Sequence, residues 1–462
     1  MSKKDYQPVP LRDRNLSTLD ITLIWFGAAI AITEVWAGGL PQLTGLGLGL
    51  GLIAIVVGRL IGNGLMGAMA KVGSDTGLPT MVMTRPAFGV RGSYLPAAFN
   101  ILQLLGWTGW MLFVGFLYMD KLAGFVGWPQ VNEGNQTMKF VWVIVLGLLC
   151  TLWAYGGSRF WKVAQRISAV LLFGLTIALT VIVVQTYDVA ALLAGGFQFD
   201  AGGLLGGADL VIAMSVSWLP LVADYSRYGR KTHSGSVGTF WGYFIGGTWM
   251  YAVGLLVALA TGTDTPDQMV IEVMGSQGLS WAVIAVALVL ISTVTTTFLD
   301  IFSTVVSTQN LWPKFPQKLG NIVIGVLGII TALFLDVFAY EGFLLAIGAI
   351  FLPAFTVVIY DYYYIKKQRV MLSQVDLPGG AYWYRGGFNW RALVAWLTGF
   401  LVYDWARGWE SIGFFIRMSN PEFSGTPFPY GASLPCIIAT ALVYLVLVYW
   451  FRSGVGKKKK KK

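Results

Sequence analysis

Apolar residues along this chain come in long blocks rather than in strand-like alternation. Twelve segments are predominantly apolar, near 20–39, 47–70, 94–119, 139–156, 165–186, 206–226, 236–262, 279–308, 319–337, 341–365, 392–415 and 433–452. A helix of about 20 such residues spans the hydrocarbon of a bilayer. The polar stretches between them are short, and the longest, Lys366 to Arg391, cannot house a domain. The pattern predicts an all-α integral membrane protein with twelve transmembrane helices. Charged residues precede the first block and no small-residue cleavage site ends it, so it reads as a span and not a leader.

Charge then sets the orientation. Of the 32 Lys and Arg, 27 fall on the side of the N-terminus if twelve spans are threaded through the membrane. Lys121, Lys139, Arg407 and Arg417 fall on the other, and Arg59 lies inside the second span. The positive-inside rule places both termini in the cytoplasm, in the cell inner (plasma) membrane. The formal charge of +10 therefore reports orientation and does not call for nucleic acid. The resulting division is a cytoplasmic segment over 1–19, a core over 20–365 and a cytoplasmic connection over 366–391. Two added helices follow over 392–452, then a cytoplasmic lysine-rich tail over 453–462. That tail reads as solvated or as a contact for anionic lipid.

Composition narrows the function classes. Charged residues make up 12% of the chain and hydrophobic ones 56%, against roughly 25% charged in a soluble domain. Cys150 and Cys436 sit in apolar runs and His233 is the one histidine. This excludes a disulfide framework and a zinc, haem or iron–sulfur enzyme. No nucleophile–base set accompanies the acids, so no enzyme, no cofactor and no obligate protein partner are expected.

Two spans carry break signals. The first holds Glu34 at mid-membrane depth within a run of small residues, Gly27 to Gly39. The sixth reads Ser215-Val216-Ser217-Trp218-Leu219-Pro220. Pro220 removes a backbone donor and clashes with the carbonyl of Val216, and the freed carbonyls need a partner other than lipid. Interrupted spans five apart point to inverted repeats with a midplane site, or else to two kinked packing helices.

Other spans add candidate chemistry. Ser292, Thr293, Thr295, Thr296 and Thr297 put five hydroxyls in six residues of the eighth span. They form either an oxygen cage suited to sodium or bonds back to their own helix. Gln103 and Trp107 in the third span are four apart and share a face, an amide and an indole able to bond and stack a flat heteroaromatic ring. Intramembrane charges usually face a cavity or a partner. Glu34 pairs with Arg59 or serves the substrate or the coupling ion, and Asp300, one turn after Thr296, faces the same side and suits a pyrimidine amino group. Asp224 and Arg227 read as a local structural or gating pair.

Several stretches together resemble the nucleobase–cation symporters, the purine/cytosine permease family. These are Trp25 to Ala29, Leu102 to Thr108, Ser217 to Leu221 with Ala223-Asp224-Tyr225, and Thr295 to Asp300. Within the family the chain looks most like the CytX-type hydroxymethylpyrimidine transporters. The resemblance implies two inverted five-helix repeats, broken in helices 1 and 6, followed by two extra helices. It implies alternating access, a substrate ring stacked on Trp107 and a polar contact from Ser217; with the residues read above, the candidate substrate site is Gln103, Trp107, Ser215, Ser217, Trp218, Glu34 and Asp300. It also implies a sodium ion held by the carbonyls of Ala28 and Ala31 and the hydroxyls of Thr295 and Thr296. The family often has an aromatic where Ser215 stands, and cytosine permeases have an asparagine beside the span-eight threonines. The first departure leaves the second face of the ring stack open, and the second points away from plain cytosine, the runner-up, and toward another amino-pyrimidine, with protons as the alternative coupling ion.

Overall fold

The computed structural model describes residues 7–131, 136–156, 158–195, 199–312, 314–409 and 426–458. Lys3, Lys4, Arg417, Lys459 to Lys462 and the end of the predicted eleventh span lie outside the described residues. All twelve apolar segments contain a helix. In chain order the main helices are α1 (Thr18–Ala29), α2 (Ile32–Gly38), α3 (Gly47–Thr76), α4 (Tyr94–Phe125), α5 (Thr137–Gly156), α6 (Ser158–Thr186), α7 (Val189–Gly195) and α8 (Ala201–Ser217). There follow α9 (Val222–Ser226), α10 (Thr232–Thr261), α11 (Pro266–Gly275), α12 (Leu279–Leu311), α13 (Gln317–Phe334), α14 (Ala339–Tyr360), α15 (Trp390–Ala406) and α16 (Ser433–Lys458). The described residues hold two isolated β-bridges and no strand.

Among the described residues, nine helical stretches are long and apolar enough to cross a membrane, and up to eleven if each of two bent pairs is one span. The bent pairs are α1 with α2, at 64°, and the second half of α6 with α7, at 77°. The remaining segment, the eleventh, holds α15, whose 17 residues are at the lower end of spanning length. The short α11 went unread in the sequence because it is too brief to register as a span. Large apolar side chains such as Leu152, Val170, Leu442 and Trp450 are exposed, as expected where lipid is the solvent.

Local chemistry explains where helices begin and end. Ser17 caps α1: its hydroxyl accepts the Asp20 N–H at 3.2 Å while its own N–H donates to Asp20 at 2.8 Å, a reciprocal capping box. At the far end of α3, Gly77 adopts φ +74° and donates to Gly73 O, the left-handed stop that glycine favours.

Two groups of helices pack together. In one, α1 lies along α10, α8 lies along α3, and α3 and α10 pack on each other. In the other, α4 packs on α12, and α13 packs on both α4 and α5. α14 joins α8 to the pair α15 and α16. Glycine makes the closest approaches. A methyl at Gly58 or Gly62 of α3 would sit 2.6 Å from the Cβ of Val211 or Ser215 on α8. On α10, one at Gly238 or Gly246 would sit 2.9 Å from Ile21 or Ala29 of α1. Such stripes of small residues allow close van der Waals packing where lipid supplies no hydrophobic drive.

The stretch 366–391 is ordered by the loop between α3 and α4. Lys366 Nζ and Tyr384 OH donate to Pro86 O at 2.9 and 2.6 Å, and Asn389 Nδ2 donates to Ala87 O at 2.6 Å. An ion pair joins Arg85 to Asp376. Lys71 Nζ donates to Gln368 Oε1 at 2.9 Å, tying the connection to α3 as well.

Candidate membrane-embedded transport site

The first span breaks at Ile30 and Ala31, and Ala31 is extended (φ −141°, ψ 142°). Its N–H donates to Ala29 O at 3.0 Å instead of one full turn back to Gly27 O. Its carbonyl accepts from Glu34 N–H at 3.0 Å and starts α2. Ala28 and Ala31 therefore flank the break, both half-buried.

The sixth span is tightened rather than unwound. After Ser217 the chain runs through Trp218 and a 3-10 turn, Leu219–Leu221, into α9. Leu221 N–H donates to Trp218 O at 2.9 Å and not to Ser217 O. The Ser217 carbonyl so released accepts from Gln103 Nε2 at 2.7 Å. The carbonyl satisfied by the third-span amide is thus one residue beyond Val216, the one the proline was expected to free. Gln103 Oε1 is buried with no partner among the described residues.

Two contacts fix the register of α4 against α12. Asn100 Nδ2 donates to Ser307 Oγ at 3.0 Å, and a Cβ at Gly115 would lie 3.2 Å from Thr293. Rising numbers on one helix meet falling numbers on the other, so the pair is antiparallel. Interpolating between these contacts puts Trp107 level with Asp300. Trp107 is nearly buried, edge-on to Phe343 at 5.2 Å and to Tyr340 at 6.2 Å between centroids. Asp300 is half-buried, and among the described residues its carboxylate has no hydrogen-bond or ion-pair partner.

At 100° per residue the eighth span divides its hydroxyls. Thr293, Thr296, Thr297, Asp300 and Ser307 share one side. Thr295 lies on the other, in an apolar groove of about 400 Å³ with Met119, Leu146, Leu149, Ile291 and Val294. The Thr295 hydroxyl donates back to Ile291 O and Ser292 O, at 3.1 and 2.9 Å. Thr297 likewise donates to Thr293 O, at 2.7 Å. The structure thus separates Thr295 from Thr296, which the sequence had grouped.

Glu34 is bound up within the protein. One carboxylate oxygen accepts from Arg59 Nη2 and the other from the Tyr243 hydroxyl. The Arg59 guanidinium is fully buried between the rings of Tyr243 and Tyr251, 4.9 and 4.5 Å from their centroids, a cation–π sandwich. It also donates to Ser215 Oγ and to Gly247 O, both at 3.2 Å. Ser215 Oγ in turn donates to Asn63 Oδ1 at 3.0 Å. Trp218 Nε1 donates to the Tyr243 hydroxyl at 2.7 Å. Ser217 Oγ donates to Met214 O at 2.6 Å.

Of the predicted residues, the structure groups Gln103 with Ser217, sets Trp107 level with Asp300, and joins Glu34, Ser215 and Trp218 in the Arg59 network. Sequence reasoning missed Asn63, Tyr243 and Tyr251 as that network's other members. Asn63 was findable, since it follows Arg59 by four residues. It also missed Tyr340, which stacks on Trp36 at 4.0 Å and 8° and donates to Thr33 O at 3.1 Å.

Comparison with known proteins adds identity to this geometry. Residues 8–420 match the family described as "Permease for cytosine/purines, uracil, thiamine, allantoin". The chain is 25% identical over 424 residues to the cytosine permease of Escherichia coli K12, covering 87% of this chain and 88% of that one. It is 26% identical over 442 residues to the purine-uracil permease NCS1 of Arabidopsis thaliana, covering 87% and 70%. Among solved structures, the inward-facing conformation of Mhp1 superposes with a TM-score of 0.77 at 17% identity, covering 98% and 94%. Mhp1 closed around bromovinylhydantoin gives 0.74 at 19%, covering 96% and 95%. With the family profile covering most of its length, and relatives that are permeases and not enzymes, the chain belongs to the nucleobase–cation symporter family of multi-pass membrane permeases.

Proposed function

We propose that this protein is a cation-coupled importer of a small planar pyrimidine, working by alternating access, with hydroxymethylpyrimidine as its substrate. The observation that carries this reading is the pairing of Trp107 with Asp300 at one depth on α4 and α12. An indole lies there at the depth of a carboxylate that has no partner among the described residues. An amino-pyrimidine offers a ring to stack and an N–H donor for the acid, and a buried acid left without a donor is costly. Gln103, with a free amide oxygen held against the sixth-span turn, supplies a further acceptor. Ser217 and Trp218 complete the polar edge.

The ion in this reading is sodium, held by the carbonyls of Ala28 and Ala31 and by the hydroxyl of Thr296, on the face shared with Asp300. Thr295 joins it only by turning away from its own helix. Two inverted repeats over 20–365 are supported by equivalent packings: α1 on α10 matches α8 on α3, each along glycines. The 366–391 connection, the two helices over 392–452 and both termini then belong with the cytoplasmic side or the added pair, in the plasma membrane.

Uptake into proteoliposomes tests the function. Labelled hydroxymethylpyrimidine is expected to accumulate under an inward sodium gradient and to be displaced by unlabelled compound. Preferential accumulation of cytosine would favour the second reading, for which the cytosine permease relative speaks. Accumulation of neither would defeat both.

A further inference from the structure

The two interrupted spans are joined through Arg59, which bonds Glu34 and Ser215, and through one tyrosine hydroxyl. Trp218 stands at the corner of the sixth span, where α8 gives way to the 3-10 turn. Glu34 stands in the first turn of α2, just past the break in the first span. Between them is Tyr243 on α10, whose oxygen accepts from Trp218 Nε1 at 2.7 Å and whose proton goes to Glu34. Each partner uses a different valence of that hydroxyl, so the relay is complete and directional. The Tyr243 ring meanwhile forms one wall around Arg59, which holds the other Glu34 oxygen.

We infer that Tyr243 is a positioning residue for coupling: its hydroxyl makes the two interrupted spans shift together, so that an ion bound at the first break is felt at the sixth-span edge of the substrate site. This rests on the cation-coupled reading above. Coupling between two sites is a free energy that requires an element both sites bias. Here that element is the Trp218–Tyr243–Glu34 relay. Without it the spans keep the Arg59 bridge between Glu34 and Ser215 and the edge contact of Trp25 with Trp218 but lose the link to the sixth-span corner, and ion drive weakens.

Tyr243→Phe removes both hydrogen bonds and keeps the ring over Arg59. The test compares two rates in proteoliposomes with labelled hydroxymethylpyrimidine and with labelled cytosine. One is exchange at equal ion concentrations, and the other is accumulation driven by an inward sodium or proton gradient. The ratio of accumulation to exchange is expected to fall about tenfold or more in the variant, within the span of ordinary allosteric couplings. Trp218→Phe, which removes the donor on the other side of the same hydroxyl, is expected to lower the same ratio, and the double variant to lower it no further. An unchanged ratio in Tyr243→Phe would overturn the relay, and so would independent effects of the two variants. If Tyr243→Phe does not fold, Trp218→Phe alone decides between a lowered ratio and the wild-type one. If the wild-type protein exchanges substrate but accumulates it under neither gradient, the cation-coupled reading fails and the relay falls with it.

Discussion

At the scale of single residues, the Glu34–Arg59 pair sets the hardest constraint. Both side chains are buried, and the cost of desolvating two ions is offset by the hydrogen bonds and ring contacts around them, with Arg59 Nε left without a partner among the described residues. Removing one partner leaves the other charged and unmatched. Arg59→Met is therefore expected to destabilise the detergent-purified protein by roughly 3–5 kcal/mol, read as a drop in melting temperature. A melting curve unchanged from wild type would show that Glu34 is neutral or otherwise paired. Trp107→Ala is expected to fold normally yet weaken pyrimidine binding about tenfold, since an aromatic stack is worth roughly 0.5–1.5 kcal/mol beyond its buried area. Equal affinity in that variant, measured by titration calorimetry, would remove Trp107 from the site. Much at this scale was legible beforehand. An acid and a base in successive spans announce each other, and a proline in a span announces a free carbonyl. Tyr243 and Tyr251 were not legible, because a tyrosine in an apolar run looks the same whether it fills space or flanks a cation.

At the scale of elements, the apolar blocks located the helices because span length is fixed by bilayer thickness. The short α7 and α11 escaped notice because seven and ten residues do not make a block. The sixth span departed in kind: its proline produced a 3-10 turn and not an open gap. The next residues resume a helix, and Gln103 satisfies the carbonyl that an open gap would have left bare. The hydroxyl cluster shows the limit of reading composition without direction. Thr295 and Thr296 are neighbours in sequence and face different sides of α12. Thr296→Ala is accordingly expected to abolish the sodium dependence of binding, while Thr295→Ala lowers it less than about twofold. The reverse order would return the ion to Thr295. Helix contact gives a further expectation: Gly62→Leu forces side-chain atoms into Ser215. It is expected to cost about 1–3 kcal/mol through overpacking, visible as a lower melting temperature with the helical circular dichroism retained.

At the scale of the whole molecule, charge asymmetry and apolar periodicity pointed to a multi-pass carrier before any coordinates. The packing of α1 with α10 and of α8 with α3 supplies what hydropathy cannot, namely which helices pack together. The two groups of helices meet where Gln103 bonds Ser217, and α14 reaches α2 where Tyr340 bonds Thr33. These few polar contacts are where one group would slide past the other. Substrate identity is the finest feature and the least legible, since it depends on one carboxylate and on side-chain directions within a shared frame. The direct test is thermal stabilisation of the purified protein by hydroxymethylpyrimidine, cytosine, uracil, allantoin or thiamine, each in sodium or in choline at fixed ionic strength. A ligand that binds only the folded state raises stability by mass action. The account predicts a rise with hydroxymethylpyrimidine that requires sodium and vanishes in Asp300→Ala. A rise of equal size in choline, or one that survives loss of Asp300, would contradict it.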